Sequence, residues 1–474
     1  FRRDGYSSLL GDNRWGFFPG VSAGWIFGRE DFIKEAIPVM SFGKLRASYG
    51  INGNASGIGA YTLQGSYGSS NSNGSFNYNG NTSYLITELP NPNLRWEKTA
   101  TFEVGADLSF FANRLNTNLT YYNRLTSDKY AALSFPTSTG FSSVTNNNGE
   151  FRNQGIEIEL SGKIIDSKDW TWSASGNIAF NKNKIVSLPD NGMERNRINA
   201  FQVYTGNGDE KKWVGGQQEG QEPGILYLYQ ADGIYRSYDE IPANLVRKYG
   251  SRTYYGPEAW NKLTAEQQNA TTNFPIQQGD TKFHDVNGDD VIDEFDKVKV
   301  GATSPRWTGG FNTTLRWKNF QLYGRFDYAL GFWLYENSGT QSTTPWFMGC
   351  YQGTYNTPTM YYDTWSESNP NAKYPRYLFA DQNGKNNYIA STMFAYRGDY
   401  LAIREISLSY SLPESVAKML KMQRAEVSIT GQNLGYITGA KNVGSPEANP
   451  KDNGAVGQGY SLPRTILFGV NLTF

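Results

Sequence analysis

The chain of 474 residues has almost none of the residues that build most metal and redox sites. It contains one cysteine, Cys350, and one histidine, His284, which excludes an internal disulfide, a cysteine-based zinc site and a multi-histidine metal site. An excess of positive charge is also missing, because 44 basic residues balance 44 acidic ones. This balance argues against nucleic acid as a partner, since phosphate-binding surfaces are usually basic.

Long apolar runs are absent as well. No stretch approaches the roughly 20 apolar residues of a membrane-spanning helix. Aromatic residues, in contrast, make up 15% of the chain, although only 38% of it is hydrophobic. A transmembrane β-barrel has this kind of composition, because only alternate residues of each strand face lipid. A soluble β protein with an aromatic core is the alternative that composition leaves open.

Apolar residues recur with a period of two along much of the chain. In the closing "TILFGVNLTF", Ile466, Phe468 and Val470 fall on one face, while Gly469 and Asn471 fall on the other. This period is typical of β-strands with one apolar and one polar face. It predicts eleven strands, at approximately 17–27, 44–50, 96–110, 115–122, 151–164, 170–181, 306–317, 320–330, 396–412, 424–434 and 463–474.

The connections between these strands alternate between short and long. The short ones are 111–114, 165–169, 318–319 and 413–423, with 28–43 of intermediate length, and the long ones are 52–95, 123–150, 182–305, 331–395 and 435–462. Outer-membrane barrels have short periplasmic turns and long extracellular loops, whereas a soluble sandwich has no reason to sort its loops in this way. We therefore predict an all-β fold, a transmembrane antiparallel β-barrel with long extracellular loops, chiefly 182–305 and 331–395.

A series of motifs resembles one known family along nearly the whole chain. The motifs are "DNRWGFFPGVSAGWIF" (12–27), "KLRASYGINGN" (44–54), "NPNLRWEKT" (91–99), "NQGIEIEL" (153–160), "FNKNKI" (180–185), "ADGIY" (231–235), "GDTKFHDVNGDDVID" (279–293), "GDYLAIREISLSYSLP" (398–413), "TGQNL" (430–434) and "PRTILFGVNLTF" (463–474). Taken together and in this order, they resemble the C-terminal half of SusC/RagA-like TonB-dependent outer-membrane transporters.

The resemblance implies a 22-stranded barrel in the bacterial outer membrane, of which the eleven strands are half. Residues 1–474 are then the C-terminal portion of a single barrel, with the plug domain and the TonB box absent from this chain. The odd strand number points the same way, because single-chain bacterial barrels have an even number. As partners the resemblance implies outer-membrane lipid, TonB through the missing N-terminal part, a SusD-like surface lipoprotein as a lid, and a dimer of transporter–lid pairs.

The implied function is active import of oligosaccharides or, as a second choice, peptides. Two other classes stay open at this point: a passive porin or surface-adhesin barrel, and a soluble β-rich carbohydrate-binding module. An enzyme is not expected, because no serine near His284 lies in a nucleophile-elbow motif and no acid–base pair stands out.

One acidic run, "HDVNGDDVIDEFD" at 284–296, has the spacing of a calcium loop. Calcium prefers six to eight oxygen ligands, which such loops supply from their first, third, fifth, seventh, ninth and twelfth positions. Here those positions are Asp285, Asn287, Asp289, the carbonyl of Val291, Asp293 and Asp296. The role expected of the ion is structural.

Two residues depart from the usual pattern of that loop. Asp290 takes the sixth position, where glycine normally allows a sharp turn, and the twelfth residue, Asp296, is shorter than the usual glutamate. A metal-free turn is therefore the alternative, because Asp, Asn and Gly also form plain turns. No helical period flanks the run, so a helix pair of the EF-hand type is not expected.

Aromatic residues in the segment 331–395 are the candidates for contact with cargo. Their flat rings suit sugar faces or peptide side chains, and Asp363 and Glu367 lie among them. The alternative is packing of loop against loop or against the lid protein. The candidates are Trp346, Phe347, Tyr351, Tyr361, Tyr362 and Trp365.

Overall fold

The computed structural model describes residues 1–59, 61–69, 77–78, 81–141, 143–335, 363–376, 389–440, 445–447 and 462–474. Eleven strands form one sheet in which every neighbouring pair is antiparallel, and sheet order follows chain order. The predicted all-β architecture is therefore confirmed. These strands are β3 (Gly20–Trp25), β4 (Met40–Asn54), β9 (Glu97–Phe110), β10 (Leu115–Ser134), β11 (Ser143–Asp166), β12 (Trp170–Ser187), β23 (Trp307–Trp317), β24 (Phe320–Leu330), β27 (Tyr400–Ser411), β28 (Arg424–Thr438) and β29 (Thr465–Thr473).

Shorter strands occupy the connections. They are β1 (Arg2–Gly5), β2 (Trp15–Phe18), β5 (Ser66–Ser69), β6 (Asn77–Tyr78), β7 (Asn81–Thr82), β8 (Tyr84–Glu88), β13 (Phe201–Tyr204), β14 (Lys211–Val214), β15 (Ile225–Tyr229), β16 (Ala231–Ile234), β17 (Val246–Tyr249), β18 (Arg252–Tyr255), β19 (Asn273–Pro275), β20 (Thr281–Phe283), β21 (Val291–Ile292), β22 (Lys297–Ala302), β25 (Trp333–Tyr335) and β26 (Ala395–Arg397). Four short α-helices accompany them in the described ranges: α1 (Asp31–Ala36), α2 (Pro257–Asn261), α3 (Ala265–Gln268) and α4 (Glu414–Met419). None of the helices in the described part of the chain has the length and apolar character needed to cross a membrane.

The two faces of the large sheet differ as the period of two predicts. On one face apolar side chains stand exposed, among them Phe102 and Ile156 at 43% and 49% exposure. On the other face polar side chains bond to one another across strands. Arg46 on β4 donates to Asp107 on β9 at 3.3 Å and to Asn118 on β10 at 3.0 Å. Large apolar side chains left exposed on one whole face suit lipid, and a bonded polar face suits a wet lumen.

The connection between β10 and β11 corrects one prediction. The sequence suggested a long loop at 123–150, but the strands pair up to Ser134 and Ser143, which leaves only 135–142 between them. The pairing carries register shifts around Lys129. Apolar and polar residues do not alternate regularly in this extension, which reads NRLTSDKYAALS on β10, while the strands continue.

The short turns lie where they were predicted, at 111–114, 167–169, 318–319 and 412–423. The intermediate connection is 26–39 and holds α1. All of them lie at one end of the strands, and the other end carries 135–142 and the four long connections 55–96, 188–306, 331–399 and 439–464. The helices α2 and α3 lie in the long connection between β12 and β23.

Buried apolar clusters lie in the long connections rather than inside the sheet. The largest belongs to the connection between β12 and β23, together with Ile389 from the next connection. A second cluster joins Leu228 to Tyr335, Tyr374 and Phe394. The described parts of these long loops therefore pack around cores of their own, and the first core fixes the position of Ile292 in the calcium-like run.

Candidate functional site

The calcium-like run is attached to the largest loop core. Val291 and Ile292 form β21, which pairs in parallel with Val246 and Arg247 of β17. Ile292 is 1% exposed and belongs to the core cluster. The flanking segments are the strands β20 and β22, so the expected lack of a helix pair is confirmed. Anchoring on both sides leaves 284–290 as a tight turn at the edge of this core.

Four carboxylates of the run, those of Asp285, Asp289, Asp293 and Asp296, accept backbone N–H groups of the run itself. Asp285 accepts from Gly288 and Asp290, both at 2.8 Å. Asp289 accepts from Val291 at 2.7 Å, and Asp293 from Phe295 at 2.9 Å. Such bonds hold the turn closed without an ion, as the metal-free alternative expects.

The structure shows how Asp290 and Asp296, the two departures from the usual calcium-loop pattern, are accommodated. Asp290 has φ +62°, the left-handed conformation that glycine normally supplies at the sixth position and that aspartate tolerates better than most residues. Asp296 is fully buried and accepts from the N–H groups of Val286 and Asp293 at 2.8 and 2.7 Å. Burial raises the pKa of the Asp296 carboxyl to about 6.

Asn287 is the one residue of the run with a buried side-chain atom that lacks a hydrogen-bond partner. Its amide nitrogen donates to Asp209 at 2.8 Å and to Asp289 at 3.0 Å, whereas its buried Oδ1 has no hydrogen-bond partner. Asp209 lies 78 residues away in the turn between β13 and β14, and no motif pointed to it. Among the described residues, no three His, Cys, Asp or Glu side chains converge as a ready metal site.

Of the predicted aromatic contacts, Trp365 is the one within the described residues. Its ring packs on Gly279, where an added Cβ would lie 2.3 Å from a ring atom, and its indole nitrogen is buried without a hydrogen-bond partner. This is the packing of loop against loop that the alternative expected, and contact with cargo stays a prediction. The other predicted residues, Trp346, Phe347, Tyr351, Tyr361 and Tyr362, lie outside the described residues.

A buried ion pair fastens the Trp365 segment to the core. Arg376 Nε lies 2.6 Å from an oxygen of Asp280, which is fully buried, and Arg376 also bonds to Gln277. The backbone N–H of Arg376 donates to Gly279 O at 2.8 Å. No local pattern in the sequence predicts this pair, because its members are 96 residues apart along the chain.

A second anchor joins the connection between β28 and β29 to the barrel wall. Arg404 on β27 donates 2.9 Å to Glu447, and its Nε lies 2.6 Å from Asp327. The hydroxyls of Tyr400 and Tyr436 also donate to Glu447, at 2.9 and 2.7 Å. Burial alone raises the pKa of the Glu447 carboxyl, but these donors outweigh burial, so that its pKa lies below the usual value.

The sheet, its two faces and its sorted connections define an outer-membrane β-barrel protein. The sequence profile described as "TonB dependent receptor-like, beta-barrel" matches residues 1–243. The chain belongs to this family, and it therefore lies in the bacterial outer membrane.

Similar proteins agree with this assignment. "TonB-dependent receptor P3" of Formosa agariphila is 29% identical over 482 residues, which cover 100% of this chain and 43% of that protein. "TonB-dependent receptor SusC" of Bacteroides thetaiotaomicron is 26% identical over 489 residues, covering 100% and 41%. The chain thus spans less than half the length of these relatives.

A solved structure agrees in fold. The structure described as the "RagAB peptide transporter" matches 99% of this chain and 44% of its own, with a TM-score of 0.68 and 22% identity. The resemblance to SusC/RagA-like proteins is thereby confirmed at the level of family and fold.

Proposed function

We propose that this chain is part of an active importer of the SusC type, which takes up oligosaccharides or peptides across the outer membrane. The observation that carries the proposal is the combination of three features. The outer face suits lipid, the inner face is polar, and the long loops at one end of the strands have packed cores in their described parts. A family of receptors named for TonB supports an energised step, and the SusC and RagAB relatives support a nutrient as cargo.

The proposal includes partners that lie outside the chain. The strands β3 and β29 are the edges of the described sheet, and open sheet edges are not stable in lipid. We propose that further strands of a longer protein complete the barrel, and that this protein also carries the plug and the TonB box. A SusD-like lipoprotein would cover the loops, in a dimer of transporter–lid pairs.

Uptake by cells tests the transport proposal. Deletion of the complete gene should abolish uptake of a fluorescent oligosaccharide or peptide library, and the gene restored on a plasmid should recover it. Disruption of TonB should abolish uptake to the same extent. Uptake that persists without TonB would favour a passive porin, and no change on deletion would favour a surface adhesin.

We also propose that 285–296 binds a structural calcium ion. The ligands would be Asp285, Asn287, Asp289, the Val291 carbonyl, Asp293 and Asp296. The unsatisfied Oδ1 of Asn287 and the left-handed Asp290 at the sixth position support the proposal. Binding would require the carboxylates to exchange some of their backbone donors for the ion. Calcium would then order the loop core from outside the cell, where the ion is abundant.

A further inference from the structure

Two parallel rows of side chains cross the outer face of the sheet beside its short turns. Strand register places the residues of each row directly opposite one another on β12, β23, β24 and β27. The row beside the turns is aromatic, and the row one step deeper begins with tryptophan and continues with leucines. The first row is Trp170, Trp317, Phe320 and Tyr410, and the second is Trp172, Leu315, Leu322 and Leu408.

The aromatic row forms a continuous raised edge. Trp170 and Trp317 stack with their ring centres 5.7 Å apart, and Trp317 and Phe320 follow at 5.9 Å. Tyr410 extends the edge from Phe320 at 4.6 Å. The leucines behind this edge are shorter than the rings, so the surface sinks where the two rows meet. The edge therefore bounds a groove, whereas a row of equal side chains would leave a flat wall.

The groove has a volume of about 300 Å³. It opens onto the lipid-facing surface and is continuous with it. Its lining is almost wholly apolar, so it suits a hydrocarbon chain and offers nothing to a polar ligand. The lining residues are Trp170, Leu315, Trp317, Phe320, Leu322 and Leu408.

A positive charge stands at the turn-side end of the groove. Lys318 lies in the two-residue turn after Trp317, is exposed, and holds its Nζ 5.7 Å from the Trp317 ring centre. The neighbouring turn carries Lys168 and Asp169, whose charges cancel. The turn on the other side, 412–423, carries Lys421 and the ion pair of Glu414 with Lys418, so the net charge of these turns is positive. Lys318 is the cation that lies against the Trp317 ring.

The turn that carries Lys318 is held from both sides. Lys318 N donates to Asp169 O at 2.8 Å. Asn319 exchanges two hydrogen bonds with Ser411, one of them from its side-chain amide at 2.7 Å. Because the turn is bonded to the neighbouring turn on one side and to the end of β27 on the other, the lysine and the aromatic edge keep a fixed relation. The charge and the groove are thus parts of one rigid unit.

We propose that this groove is a binding site for one phospholipid of the inner leaflet, with an acyl chain along the leucines and the headgroup phosphate at Lys318. The inner leaflet follows from the short turns, which are periplasmic in outer-membrane barrels. Rings at the level of the headgroups and a lysine that reaches the phosphate are the usual means of contact at that depth. The proposal rests on the outer-membrane location and is independent of the proposed cargo.

Native mass spectrometry of the intact transporter, purified from outer membranes and washed stepwise with detergent, tests the site. The wild type should retain one phospholipid after the rest has been removed. Leu322→Trp fills the groove and should lower the retained fraction about tenfold. Ile156→Trp also replaces an aliphatic side chain by tryptophan on the lipid-facing surface, but outside the groove. This control should retain the lipid as the wild type does.

Lys318→Ala separates the headgroup contact from the groove. In nanodiscs of phosphatidylethanolamine and phosphatidylglycerol, the preference of this variant for phosphatidylglycerol should fall about fivefold. This is the change in affinity that corresponds to the attraction of one lysine to an anionic lipid surface. Because Lys318 is exposed in a turn, this variant should fold even if Leu322→Trp does not, and heat-modifiable mobility on gels checks both. Equal retention by the wild type and all variants would show ordinary surrounding lipid only and overturn the proposal, as would retention of lipopolysaccharide instead of phospholipid.

Discussion

At the scale of single residues, a few long-range contacts decide where the loops lie. Glu447 is the clearest case, because one carboxylate receives donors from Arg404, Tyr400 and Tyr436. A bond to a charged partner contributes about 1.5–3 kcal/mol, more than most exposed ion pairs. Contacts of this kind connect loop to wall at single points, so single substitutions should release them.

We expect Glu447→Gln to loosen the segment 445–447, because the amide keeps the shape of the side chain but loses its charge. Hydrogen exchange of the amides of 445–447 in the intact protein measures the effect. The pKa of Glu447 is lowered in the folded state, so its contribution is present above the usual glutamate pKa of about 4.3 and is lost as pH falls below it. At low pH, hydrogen exchange at 445–447 in the wild type should therefore become as fast as in Glu447→Gln.

Glu414→Gln is the matched control for this substitution. Glu414 pairs with Lys418 on α4, but both side chains are more than two-thirds exposed, at 74% and 71%. Exposed pairs contribute little, so exchange should not change in the control. Equal exchange at 445–447 in the wild type and in Glu447→Gln would contradict the anchoring role.

Gly279→Ala should detach the Trp365 segment. Gly279 has φ +87°, which costs an alanine about 1–2 kcal/mol, and the new methyl group would also collide with the Trp365 ring. Gly250→Ala is the control, because Gly250 has φ +59° but nothing within 4 Å of an added Cβ. Limited proteolysis of 363–376 should rise much more for Gly279→Ala. A similar rise in both variants would assign the effect to the backbone alone.

At the scale of elements, the order of the loop around 285–296 should depend on ion binding to that run. If calcium binds, a concentration 100 times its dissociation constant should stabilise the loop by about 2.7 kcal/mol. A chelator should then raise proteolysis at 280–300, and added calcium should reverse it. The double variant Asp289→Asn and Asp293→Asn should be insensitive to the chelator. Unchanged cleavage of the wild type would leave a metal-free turn.

The sequence predicts these elements well wherever one face meets lipid. All eleven strands were found from a period of two, because lipid on one face and polar groups on the other enforce strict alternation. The extension of β10 to Ser134 is not predicted, because the register shifts around Lys129 interrupt the period of two. The calcium-like run could be located from the sequence because its spacing is contained within twelve residues. The contacts of Asp209 with Asn287 and of Arg376 with Asp280 could not be predicted, because they join residues 78 and 96 positions apart and leave no local pattern.

At the scale of the whole molecule, the outer face and the inner face of the barrel should tolerate opposite changes. Neighbouring residues on β11 provide the comparison, because Ile158 lies on the apolar face and Glu157 on the polar one. Ile158→Lys places a charge in lipid and should cost about 2–4 kcal/mol near the middle of the membrane. Glu157→Lys places the same charge in the wet interior and should assemble as the wild type does.

The folded fraction in purified outer membranes, read from heat-modifiable mobility on gels, measures this difference. Both variants introduce lysine one residue apart, so strand propensity and expression are matched, and only the facing differs. Ile158→Lys should reduce the folded fraction, while Glu157→Lys should not. If both variants assembled equally, the outer face would not meet lipid at this depth. The orientation of the sheet, the importer and the phospholipid site would then fail together, because all three rest on which face is outside.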